Sequence, residues 1–205
     1  MEKWSLVLLA LTALILFLRR HGNGTSATAP GGYEQPPRVT DADRFRQAVE
    51  SVYPPVAPEL VAAMWNLAPQ EGQDPYLLAA IAWQESHFRL HAQGKAGERG
   101  PYQLTTLALQ DVLNRANEDG AVQYVPDRLE DPEFATLVAS RYLRLLQTVY
   151  MQAYGTPEAI AQAGSQEALV LTWYNAGPGR VVPAALQYAQ QVLQRREELK
   201  RRAGA

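Results

Sequence analysis

Apolar positions along the chain fall into two regimes. Ser5 to Leu18 (SLVLLALTALILFL) is apolar almost throughout, interrupted by Thr12, with Trp4 ahead of it and Arg19 and Arg20 behind. From Thr40 onward apolar residues recur three and four apart, the spacing of one helix face, with little period-two alternation. Three helix starts are written as a capping residue followed by proline: Asp74-Pro75, Asp131-Pro132 and Thr156-Pro157. Thr40, Thr105 and Ser165 are further cap candidates. The pattern predicts helices near 41–52, 57–68, 75–87, 106–117, 132–153, 157–163, 166–175 and 183–202, with an irregular glycine-containing loop over 88–104. The predicted fold class is all-α.

The leading apolar run predicts a membrane anchor over residues 1–20. As a helix, Trp4 to Leu18 spans about 22 Å, short of a hydrocarbon core of about 30 Å. A cleaved signal peptide is the alternative. Against it, two arginines stand where small residues should precede cleavage, and the Ala27-Thr28-Ala29 triplet comes late, before Pro30. Lys3 on one side and Arg19-Arg20 on the other leave the orientation open. Residues 21–39 read as a flexible linker rich in Gly, Ser, Thr and Pro. Residues 40–205 remain for one compact domain.

Composition narrows the chemistry. The chain is 47% hydrophobic and 20% charged, ordinary for a globular protein, and it has no cysteine. Thiol catalysis and zinc–thiolate sites are therefore excluded. The formal net charge is -2, and residues 1–40 carry +2 of it (Lys3, Arg19, Arg20 and Arg38 against Glu2 and Glu34), leaving the domain at -4. A mildly acidic domain is a poor nucleic-acid binder. His87 and His91 are four apart, but no glutamate follows His87 and no third ligand is evident, so a zinc protease is not expected. Neither metal nor cofactor is expected.

One residue breaks the pattern. On the helix beginning at Pro75, Leu78, Ile81 and Ala82 share a face, and the next position of that series is Glu85. A carboxyl group continuing an apolar stripe is desolvated, which raises its pKa and suits it to general-acid work. The alternative is a solvated helix end paired with Arg89 or Arg99.

Gln84-Glu85-Ser86-His87-Phe88, followed by Gly97-Glu98-Arg99-Gly100-Pro101-Tyr102-Gln103, resembles the soluble lytic transglycosylase and goose-type lysozyme superfamily. The family pattern is Glu-Ser-x-Phe, then Gly-Ala-x-Gly-Leu-Met-Gln; Ala92, Gly97, Gly100 and Gln103 stand at the expected separations from Glu85. Leu129-Glu130-Asp131-Pro132 and Arg141-Tyr142-Leu143 resemble its middle helix, and Trp173-Tyr174-Asn175-Ala176-Gly177-Pro178-Gly179 its Tyr-Asn-Ala-Gly motif. Tyr188 is similarly placed to the family's closing tyrosine. The resemblance spans about residues 58–193. Leu90 departs from a usual proline, Gly94 from a usual serine, Pro101-Tyr102 from Leu-Met, and Glu98 from alanine. Gly97-Glu98-Arg99-Gly100 is closer to the Gly-Asp-Arg-Gly of goose-type lysozymes.

The resemblance implies a lysozyme-like transglycosylase domain that cleaves peptidoglycan glycan strands between N-acetylmuramic acid and N-acetylglucosamine. It implies Glu85 as acid, with the Tyr174 hydroxyl directed towards it, and an anhydromuramyl product. A hydrolytic muramidase using Glu98 as a second carboxylate (Asp111 is the more distant candidate) is the alternative, and a noncatalytic wall-binding protein of the same fold is another. Substrate contacts are expected from Gln103, Asn175, Tyr188, Ser86, Gly97 and Gly100. Helix closure is the alternative role for Ser86, Asn175 sits in an ordinary helix-ending sequence, and the two glycines suit ordinary turns. Trp65, Trp83 and Trp173 are expected in the core. The anchor would leave the domain facing the cell wall, or in a virion membrane if the source is a phage.

Overall fold

A computed structural model of the chain describes residues 39–116 and 126–205. The predicted anchor over 1–20, and the predicted linker apart from Val39, lie outside the described residues. Among the described residues no helix is long and apolar enough to cross a membrane. Val39–Ala205 form one compact unit.

The architecture is all-α: α1 (Asp41–Val52), α2 (Pro58–Leu67), α3 (Pro75–Ser86), α4 (Thr106–Ala116), α5 (Pro132–Leu145), α6 (Met151–Tyr154), α7 (Pro157–Ala163), α8 (Gln166–Ala176) and α9 (Pro183–Ala203). The side chains expected to cap these helices do so. Asp74, Asp131, Thr156 and Ser165 accept the amides of Tyr76, Phe134, Ala159 and Ala168, and Thr40 forms a reciprocal capping box with Asp43. Thr105 Oγ1 accepts the Ala108 amide at 3.1 Å. Short 3-10 turns at Pro69–Glu71 and Pro126–Glu130 were not anticipated.

Two expectations are refined. The predicted 132–153 helix is interrupted by a π-helical turn at Leu146–Tyr150 before α6. A wide turn of this kind shifts every following side chain around the axis relative to a regular helix. The loop over 88–104 is more ordered than glycine content suggests, because Arg99 pairs backbone-to-backbone with Gln93 and with Leu104.

Helix α3 is central. Every residue from Tyr76 to Ala82 is buried, so its first two turns are enclosed all round and not on one stripe. Helix α9 packs along α8, α3 and α1, and α2 lies against α5. Phe45 of α1 meets the rings of Trp65 and Tyr76 at 5.3 and 5.1 Å. Trp173 is fully buried, while Trp65 and Trp83 are partly buried against the same core. Polar contacts join α9 to α3. Lys200 Nζ reaches the α3 cap Asp74 at 2.8 Å, Arg195 donates to Gln84 at 2.7 Å and covers the Trp83 ring at 4.1 Å, and Gln84 donates to Gln191 at 2.9 Å.

Gly100 marks where the loop docks on the rest of the domain. Its φ is +75°, and a Cβ placed there would lie 1.8 Å from the Leu129 carbonyl oxygen. Gly100→Ala is therefore expected to cost about 2 kcal/mol or more, read as a lowered urea midpoint with unchanged slope.

Candidate active site

The last turn of α3 presents Glu85, and the chain then turns sharply. His87 and Phe88 have φ of 54° and 60°, a left-handed pair that non-glycine residues seldom adopt. Phe88 N–H returns to the Ala82 carbonyl at 3.1 Å and His87 N–H to that of Trp83 at 3.2 Å. The Phe88 side chain is buried, and its burial offsets the strain. Ser86 is fully buried, and its hydroxyl donates to the Pro101 carbonyl at 2.8 Å. Ser86, expected either to contact the glycan or to close its helix, has its hydroxyl turned inward, where it fastens the loop beneath the helix end.

Glu85 is half-buried. Its Oε1 accepts the Tyr188 hydroxyl at 2.7 Å. Burial pushes its pKa up to about 7, the Tyr188 bond opposes that rise, and the charge of Glu98 adds to it. The carbonyl end of α3, the negative pole of the helix dipole, acts in the same direction. The protonated form therefore persists to near neutral pH.

The hydroxyl directed at Glu85 is not the one expected. Tyr174 donates to the Tyr102 carbonyl at 2.9 Å, and Tyr188 of α9 makes the bond to the carboxyl group. Tyr174 is still close enough for the Glu85 charge to raise its pKa, after burial as the larger cause. Tyr188 was expected as a substrate contact, from its likeness to the family's closing tyrosine; it stands on the buried face of α9 with Ala185, Ala189 and Val192, and which carboxyl group that face meets was not legible.

The loop is held by the chain itself. Gln103, with φ of 45°, donates its amide hydrogens to the carbonyls of Ala92 (3.1 Å) and Gly100 (2.9 Å). Only its Oε1 is left for a ligand. Tyr102 is fully buried and donates to Thr136 Oγ1 at 2.9 Å, since that hydroxyl donates onward to Pro132. Gly97 has φ of +88° and open space at its Cβ position, so its glycine serves the turn. Gly100 closes on the Leu129 carbonyl, so its close approach is made within the protein and not to a sugar. Glu98 Oε2 accepts the Ala96 amide at 2.9 Å. The loop is also tied to the Pro126–Glu130 turn, where His91 pairs with Glu130 at 2.7 Å and Arg99 with Asp127 at 2.7 Å.

A groove of about 520 Å³ opens beside this arrangement, lined among others by Gln103, Tyr174, Asn175, Asp111 and Tyr150. Glu85 does not itself line it; Tyr174 belongs to the groove wall and to the surroundings of the carboxyl group. Asn175 is exposed on that wall. Asp111, the distant candidate for a second carboxylate, lies along the groove and accepts the Tyr150 hydroxyl.

Comparison with known proteins gives a consistent picture. The chain is 35% identical over 96 residues to membrane-bound lytic murein transglycosylase F of Klebsiella pneumoniae, covering 44% of this chain and 18% of that protein. It is 36% identical over 106 residues to the protein of the same name from Histophilus somni, covering 52% of this chain and again 18% of the relative. The chain thus spans less than a fifth of the length of these relatives. Among solved structures, an inactive mutant of lytic transglycosylase Slt from Pseudomonas aeruginosa superposes with a TM-score of 0.56 at 20% identity, over 78% of this chain and 28% of that one, which is a likeness of fold. The Transglycosylase SLT domain family matches residues 64–194, from within α2 to within α9 and including every site residue named above, and the chain belongs to that family.

Proposed function

We propose that the protein is a peptidoglycan lytic transglycosylase in which Glu85 is the general acid. The observation that carries this reading is a carboxyl group held near neutral pKa by burial and hydrogen-bonded by Tyr188, with Tyr174 standing both in its surroundings and in the wall of a groove of about 520 Å³. Glu85 protonates the glycosidic oxygen leaving N-acetylmuramic acid as oxocarbenium character develops at the sugar. The acetamido group of the substrate stabilises that centre. Glu85, now a carboxylate, takes the proton of the carbon-6 hydroxyl, which closes the anhydro ring and restores the acid. Membership of the family and the names of the relatives support the substrate class.

Tyr188 keeps the reacting oxygen in place, and by favouring the charged form it prevents the carboxyl group from becoming too weak an acid. Tyr174 anchors the Tyr102 backbone and shields the site from water. Asn175 and the free Oε1 of Gln103 are suited to acetamido and hydroxyl groups. Water-dependent cleavage with Glu98 is the second reading, supported by the likeness of Gly97-Glu98-Arg99-Gly100 to the goose-type lysozyme sequence. The apolar run over 5–18 supports tethering of the domain to a membrane, facing the wall.

Glu85→Gln is expected to slow solubilisation of purified peptidoglycan by about a thousandfold or more, with anhydromuramyl ends in the parent's products by mass spectrometry. Reducing ends carrying added water would establish hydrolysis instead.

The same substitution tests the burial. A carboxyl group whose pKa rises from 4.5 unfolded to about 7 folded stabilises fully below the unfolded value and loses that contribution as pH rises through 7. Glu85→Gln should therefore gain ~2–3 kcal/mol relative to the parent at alkaline pH compared with acidic pH, measured by paired urea melts.

Tyr188→Phe removes the bond that lowers the Glu85 pKa. The carboxyl titration followed by carbon NMR should move upward from about 7, and the alkaline limb of the rate should move with it.

A further inference from the structure

Gly94 does not owe its lack of a side chain to the backbone. Gly97 and Gly100 have φ of +88° and +75°, but Gly94 is not among the positive-φ residues, so alanine would meet no backbone strain there. A side chain at 94 would instead displace the Glu98 carboxylate. A Cβ on Gly94 would fall 2.2 Å from Glu98 Oε2, 2.9 Å from its Cδ and 3.0 Å from Gln103 Oε1. The Glu98 side chain is folded back over the glycine, with Oε2 held by the Ala96 amide at 2.9 Å. The turn beneath it is closed by Gly94 N–H to the Glu98 carbonyl at 2.8 Å and Gly97 N–H to the Gly94 carbonyl at 3.3 Å.

This seat matters because it fixes a charge that acts on Glu85. The titratable groups coupled to Glu85 are Tyr188 from α9, Tyr174 from α8 and Glu98 from the loop. Burial and the neighbouring negative charge hold both phenols neutral, their pKa values raised well above the usual. Of the three, Glu98 alone supplies charge. A glutamate swinging freely in water would act weakly, because solvent screens it. Half-buried and pinned on the glycine, it acts from a fixed place.

We propose that Gly94 and Glu98 work as a pair: the vacancy at 94 seats the Glu98 carboxylate, which serves as a positioning residue that keeps the proton on Glu85 and so sets the upper pH limit of the reaction. Glu98 acts through Glu85 and touches neither the sugar nor an attacking water. The inference rests on Glu85 being the acid. It also explains together two departures from the family pattern, Gly94 and Glu98, that look unrelated in sequence.

The test is the pH profile of peptidoglycan solubilisation by the full chain, with the parent, Glu98→Gln, Gly94→Ala and the double variant. Glutamine keeps the length of the side chain and an acceptor for the Ala96 amide while removing the charge. Loss of that charge lowers the Glu85 pKa, so the alkaline limb should move down by about half a unit to one unit. On that limb the variant should be roughly three- to tenfold slower than the parent. Gly94→Ala, which displaces the carboxylate, should move the limb in the same direction, and in the Glu98→Gln background it should add no further shift. A limb unmoved by Glu98→Gln overturns the proposal. So does an equal loss at every pH, or a switch of products from water-added to anhydro ends, either of which would give Glu98 a direct part in the reaction. Carbon NMR titration of Glu85 in the parent and Glu98→Gln supplies a readout independent of turnover. If Glu85 shifts downward there while Glu85→Gln remains active, the pair stands and the acid assignment fails.

Discussion

The site depends on shielding one carboxyl group from water with no cationic partner for it among the described residues. Desolvation raises the Glu85 pKa, the dipole of α3 and the charge of Glu98 reinforce the rise, and a single phenol opposes it. A lysine or arginine in place of that phenol would stabilise the carboxylate and remove the proton that the proposed chemistry needs. Neutral donation by Tyr188 orients the oxygen while leaving the group near the pKa of a useful acid.

The fold is arranged to hold that balance. Helix α3 is buried on all sides along its first two turns, so its end is a fixed point. Helix α9 carries Tyr188 and is fastened to α3 along the turns that follow that residue, by Gln191 and Arg195 at Gln84 and by Lys200 at Asp74. Helix α1 lies outside the family-matched stretch yet completes the same core, with Phe45 and Val49 fully buried. A carboxyl–phenol distance is only as exact as the packing that sets it, and here both partners stand on rigid helices.

The loop after α3 works by a different economy. Left-handed residues at His87, Phe88 and Gln103 store strain, and buried hydrogen bonds from Ser86, Gln103 and Tyr102 hold it in place. Ser86 and the amide nitrogen of Gln103, both expected as substrate contacts, here bond carbonyl groups of the loop itself. That leaves the groove wall at Asn175 and Gln103 Oε1, and the acidic seat at Gly94, as the surfaces that distinguish it.

The helices were legible in the sequence because their determinants are local. A cap hydroxyl or carboxylate followed by proline, and apolar residues three and four apart, act within a few residues of themselves, and Asp74, Asp131, Thr156 and Ser165 cap where they were expected to. Glu85 was legible for the same reason, as a carboxyl group in an apolar series. Which phenol reaches it was not. Tyr174 and Tyr188 lie on different helices, and their roles follow from how α8 and α9 pack against α3, which no spacing along the chain encodes. The burial of Ser86, the contact of Gly100 with Leu129 and the seating of Glu98 on Gly94 likewise depend on distances between backbone segments. The sequence by itself determined where helices begin and which carboxyl group would be dehydrated; only tertiary packing decided what that group touches, because contacts across the core are set by the joint geometry of several elements and not by any one of them.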